Sequence, residues 1–228
     1  MTVYICGDSF GCSDTEYGPG WVDKLSKKLQ GKTTLVNLSR VCASNTQIGL
    51  QVEHAISSQA EYIIYLATSS VRDDVLLNTK SSTEPLLNRF ADITNPDTAK
   101  NLTSYSVQSL NDTTLFDNFQ LNMLKQYHAS FFDIDIAIYR NELIIEGVLS
   151  KLVTSQIPFK FDQGGFEHSS FSKSKKNYFN AYNKYRSEIC VWDYVTDNLT
   201  HRPYYHIEDQ RIHEEIAEYY YKLINDKT

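Results

Sequence analysis

The sequence has no apolar run of about 18 residues, the length a membrane-spanning helix needs, so no transmembrane helix is expected. It is poor in cysteine, with four at positions 6, 12, 42 and 190 and no short paired spacing of the zinc type. Cys6 lies in an apolar run and Cys190 stands beside Val191 and Trp192, so both read as buried small hydrophobes. Positive charge is short as well. Against 28 acidic residues stand 22 Lys and Arg, a net charge of −6, which argues against a nucleic-acid backbone as the main partner. The one basic cluster, Lys173, Lys175 and Lys176, reads as a solvated loop. No signal peptide is visible, because the first predicted strand begins at Thr2. A cytoplasmic setting is therefore expected (host cytoplasm for a viral protein), with signal-free export or carriage on a particle as alternatives.

What is present suits an ordinary globular α/β domain. The chain has 228 residues, 41% of them hydrophobic and 22% charged, with tyrosine prominent at 16. A domain of this length buries roughly 70% of its unfolded surface and needs neither disulfide nor metal to hold a core. No repeat and no linker divides it, so residues 1–228 are expected to form one domain.

Thr2–Cys6 is short, β-branched and bounded by Gly7, as a buried strand should be. Trp21, Val22, Leu25 and Leu29 recur at helical spacing behind Pro19 and Gly20. Residues 34–37 read as a second strand, a helix follows from about Thr46, and residues 61–67 form a third strand apolar enough for the middle of a sheet. Three strand–helix repeats mean βαβ units and a parallel sheet. Residues 76–115 are polar, hold Pro85 and Pro96, and read as an irregular insertion of the lid type. One or two helices over 115–154, a strand at 157–161, a short strand at 189–192 and a last helix over 208–224 complete the prediction. Tyr178, Phe179, Tyr182 and Tyr185 are spaced to pack on the core, with stacking on a sugar as the alternative.

Ligands bind at the carboxyl ends of such strands, which gathers three loops on one rim: 7–12, 38–45 and 68–72. Ser9 stands in the first. A serine hydroxyl is a weak nucleophile without a base, and on local evidence alone the Gly7-Asp8-Ser9 turn is more readily structural than catalytic.

The wider pattern resembles the SGNH (GDSL-like) hydrolases, with the Thr-Ser-Ser-x-Arg form seen in members associated with tailed-phage genomes. Gly7-Asp8-Ser9 resembles the family's first block, Asn37 to Asn45 the second, and Tyr62 to Ser70 with Arg72 the third. His206, ahead of the final helix, resembles the fifth. The resemblance implies a three-layer α/β/α sandwich with a central parallel, flavodoxin-like sheet. It also implies a serine esterase acting on a small ester or a carbohydrate O-acyl group, without cofactor, nucleic acid or membrane. Ser9 would be the nucleophile and His206 the base, with His213 as the alternative base or a residue packing beneath the loop. Cys42, through its backbone N–H, and Ser69, through its hydroxyl, would form the oxyanion hole, and Asn45 and Arg72 would face the substrate. An ion pair from Arg72 to Asp73, Asp74 or Glu53 is the structural alternative.

The chain departs from the family pattern where Cys42 replaces Gly, where Ala67 and Ser69 stand for Gly and Asn, and where Pro203 replaces the Asp that orients the histidine. Asp193, Asp197 or Asp209 would have to supply that carboxylate, or a Ser–His dyad would act alone. Asp209 and His213, four apart, also form a weak metal-site candidate with His206. These departures sustain the rival expectation of an SGNH-fold binding or structural module without turnover, possibly of a phage.

Overall fold

The carboxyl edge of a four-stranded parallel sheet organises the molecule. The computed structural model describes residues 1–11, 18–40, 43–70, 72–76, 102–105, 118–164, 179–191, 207 and 209–226. Its strands are β1 (Thr2–Cys6), β2 (Thr34–Asn37), β3 (Tyr62–Leu66) and β6 (Phe159–Asp162), in spatial order β2-β1-β3-β6. All neighbours run parallel, with Tyr4 opposite Val36 on one side and Ile63 on the other. Every residue of β3 is buried, as expected for an inner strand covered on both faces. β2 is an edge strand with Thr34 and Asn37 exposed.

Side-chain alternation splits the core into two layers. Val3, Ile5, Tyr62, Ile64 and Leu66 face one side, with α1 (Trp21–Leu29) and the final helix α5 (Gln210–Asn225) over them. Tyr4, Cys6, Ile63, Tyr65, Phe159 and Phe161 face the other, covered by α2 (Asn45–Ser57) and α4 (Ile134–Ser155). The result is the expected three-layer α/β/α arrangement.

The helices begin where their caps dictate. Ser44 caps α2 by accepting from Gln47 N, so the helix starts at Asn45. Asp133 caps α4, accepting from Asp135 N and Ile136 N, and separates it from α3 (Asn118–Ser130). α1 and α5 pack through Trp21 stacked on Tyr220 at 5.1 Å. Outside that contact Lys28 bridges Glu214 and Glu218.

Two expectations change. The segment 187–191 is not a strand. Ser187 N bonds Phe161 O, but Val191 N is taken by the Asp162 side chain at 2.8 Å, so the ladder does not propagate beyond one bridge at Arg186. At the borders of the expected insertion, β4 (Asp73–Leu76) and β5 (Leu102–Tyr105) pair antiparallel. The rest of that insertion, Tyr178 and the basic cluster at 173–176 lie outside the described residues. Phe179 is buried, Tyr182 and Tyr185 pack on the core, and Tyr185 stacks on Phe159, the core role expected of them.

Candidate active site

β1 ends at Cys6, and its carboxyl-side loop turns at once. Asp8 Oδ1 accepts from Phe10 N at 3.0 Å and Asp8 O accepts from Gly11 N at 3.1 Å, winding Ser9–Gly11 into one turn of 3-10 helix. Gly11 is required there, since a Cβ would lie 2.1 Å from the Ser39 hydroxyl on the neighbouring loop. Ser9 is half-buried on this turn, and among the described residues its hydroxyl has no hydrogen-bond partner.

Beneath Ser9 lies a buried polar bracket that ties the three loops together. Asp8 is 1% exposed, and its Oδ2 accepts from Thr68 Oγ1 at 2.5 Å and Arg72 Nη1 at 3.1 Å. The same Nη1 donates to Ala43 O at 2.9 Å. One guanidinium nitrogen thus joins the β3 loop to those of β1 and β2. The ion-pair partner of Arg72 is therefore Asp8. Glu53, one of the partners expected from sequence, pairs with Lys151 instead. Arg72 retains access to solvent, with 16% of its side chain exposed.

Asn45, expected to face substrate, is fully buried. Its carboxamide accepts from Thr68 N at 2.9 Å and donates to Asn141 Oδ1 at 2.8 Å. Asn141 in turn donates to Ser70 O. This places Asn45 as a brace for the β3 loop, because a carboxamide satisfied on both ends inside the protein gains nothing by turning outward. Ser69 is half-buried within that braced turn. Gln51 supports the β1 loop, accepting from Gly7 N at 2.7 Å and donating to Gly7 O at 3.2 Å. Sequence reasoning missed Thr68, Gln51 and Asn141. The signal was available for the last two, which are polar residues at buried helical positions beside Ile48, Val52 and Ala55 or between Ala137 and Ile145.

Cys42 and His206 lie outside the described residues. His213 is placed clearly. Its Nδ1 accepts from Trp21 N at 3.0 Å, one of the donors that α1 leaves unpaired at its start, where Gly20 offers no side-chain cap. The ring is then neutral, with its proton on Nε2 and shared with Ile207 O at 3.0 Å. Both ring nitrogens are engaged by backbone groups, the arrangement of a residue packing beneath the loop. Asp209 caps α5 through Arg211 N and pairs with Arg211 at 2.7 Å. The hydrogen bond from the Arg211 side chain holds its carboxyl below the ordinary range.

Ile207, next in the chain to His206, is buried and tied to Phe10, the residue after Ser9, by a short relay. Its carbonyl meets His213, His213 meets Trp21 N, and the Trp21 indole N–H donates to Phe10 O at 2.7 Å.

No protein-family model and no curated protein matches the chain. Among solved structures, the chain is similar to an acetyl xylan esterase at 10% identity, over 98% of this chain and 100% of that one, with a TM-score of 0.48. A likeness that loose carries no argument for activity, and the fold reading stands on the sheet order and the two-sided core.

Proposed function

We propose that this protein is a serine ester hydrolase of the SGNH type, acting on a small ester or a carbohydrate O-acyl group. The observation that carries the reading is the setting of Ser9. Its half-exposed hydroxyl, without a hydrogen-bond partner among the described residues, stands at the carboxyl end of an inner strand, on a turn held by a buried Asp–Thr–Arg bracket. What supports His206 as base is the anchoring of the adjacent Ile207 through the relay that ends at Phe10. His213, the rival base, is committed elsewhere.

In this reading Ser9 Oγ attacks the ester carbonyl while His206 takes its proton. The backbone N–H groups of Ser9 and Cys42, with the Ser69 hydroxyl, receive the negative charge on the carbonyl oxygen. Collapse expels the alcohol, which takes the proton from His206, and water then cleaves the acyl-serine by the same exchange. No cofactor enters these steps.

Labelling with a fluorophosphonate tests the reading. Wild-type protein should be labelled, and Ser9→Ala and His206→Ala should lose the label while melting near the wild-type temperature. A folded wild type that takes no label would overturn it and leave the rim as a binding site without turnover.

A further inference from the structure

Among the described residues, Arg72 uses one corner of its guanidinium. Nη1 donates to both Asp8 Oδ2 and Ala43 O. Among the described residues Nε and Nη2 make none, and neither is among the buried side-chain nitrogens that lack a partner. On a planar guanidinium, Nε–H and one N–H of Nη2 lie side by side and point the same way. Their spacing matches the two oxygens of a carboxylate, the bidentate arrangement in which arginine is most selective.

The position of this unused edge matters as much as its chemistry. Arg72 is pinned between the residue before Ser9 and Ala43, the neighbour of Cys42. It is thus held where the loops of β1 and β2 converge. Its side chain is 16% exposed while that of Asp8 is 1% exposed, so Arg72 is the partner of the pair that reaches solvent. Because Nη1 is immobilised by two bonds, presenting the remaining edge costs little further side-chain entropy on binding. A net charge of −6 gives the chain no general attraction for anions, so an anionic substrate has to be recognised locally.

From this the geometry points to a substrate class: an ester that carries a carboxylate near its scissile bond, such as an O-acylated acidic sugar or a half-ester of a dicarboxylic acid. The Nε–Nη2 edge of Arg72 holds the carboxylate. This deepens the esterase reading and rests on it, yet its binding step is measurable without turnover.

Two measurements separate the inference from the reading beneath it. The first is calorimetric titration of Ser9→Ala with monomethyl succinate and with its neutral match, dimethyl succinate. The monoester should bind at least about tenfold more tightly than the diester, as expected for a charge-assisted bidentate contact. Arg72→Lys, which keeps a cation beside Asp8 but removes the fork, should erase that preference in the Ser9→Ala background. Equal binding of the two esters, no binding of either, or a preference that survives Arg72→Lys would each overturn the inference. The second measurement compares wild-type kcat/KM for mono-4-nitrophenyl succinate and 4-nitrophenyl acetate. A preference for the anionic ester that falls at least about tenfold in Arg72→Lys is expected. Turnover of both esters without that preference sinks the role of Arg72 alone. Carboxylate binding without any turnover or labelling sinks the esterase and leaves the anion site standing.

Discussion

At the scale of single residues, the rim is governed by which polar groups are already committed. His213 donates to one backbone carbonyl and accepts from one backbone amide, both buried, so His213→Ala strands two groups that water cannot reach. A loss of about 1–3 kcal/mol is expected from unmet buried groups, read as a lower midpoint in denaturant unfolding. His213→Gln can restore one donor and one acceptor, and it should recover part of that stability while retaining fluorophosphonate labelling. Loss of label in a folded His213→Gln protein would return His213 to the chemistry. Cys6, fully buried beneath the same loop, has its thiol pushed far above the ordinary range by desolvation and does not compete with Ser9 as a nucleophile. Asp8 and Arg72 are bound to one another's presence. Asp8 is buried, so leaving its carboxylate without a cation is costly, which is why lysine rather than an apolar residue is the informative replacement at Arg72.

At the scale of elements, α1 and α5 are joined by an apolar seam and an external charge cluster. Hydrogen bonds from Lys28 hold the Glu214 and Glu218 carboxyls below their ordinary value of 4.5 and raise the lysine above its ordinary 10.5. The signs fix the pH window. Lowered carboxyl values give a contribution present above about pH 4.5 and lost as pH falls through the folded-state values; a raised lysine value gives one lost as pH rises beyond about 10.5. Glu214 is exposed and Lys28 and Glu218 are only half-buried, so the effect is small and screened by salt. Lys28→Met should therefore flatten the acid limb of the stability profile in low salt and change little in high salt. Chemical denaturation across pH 3–7 at two ionic strengths checks this, and a wild-type acid limb in the mutant would refute it.

At the scale of the whole molecule, the sheet insulates two cores from each other. Leu25 lies on the α1–α5 side and Leu149 on the α2–α4 side, both fully buried. Each Leu→Ala change should cost about 2–5 kcal/mol through lost burial and the cavity left behind. Because the two sites belong to separate buried clusters on opposite faces of the sheet, the double mutant should lose the sum within about 0.5 kcal/mol. A markedly smaller combined loss would mean the layers are coupled.

Local pattern alone determined much of this architecture. The short apolar run of Thr2–Cys6, the helical spacing from Trp21 to Leu29 and the unbroken apolar run of β3 each specify an element and its burial, because period and burial are properties of neighbours in sequence. That sufficed for a parallel sheet with Ser9 on its rim. The strand expected at 189–192 failed for a reason that no local pattern holds: a carboxylate from β6 captures the amide that would have continued the ladder. The site partners are likewise tertiary. Asp8 meets Thr68 and Arg72 across 60 and 64 residues, and His213 meets Trp21 across 192. Hydrogen bonds between such distant groups depend on how the loops converge once the sheet has formed. The sequence could name Arg72 as a rim cation, but only the folded chain determined that Asp8 and Ala43 hold it through a single nitrogen, Nη1.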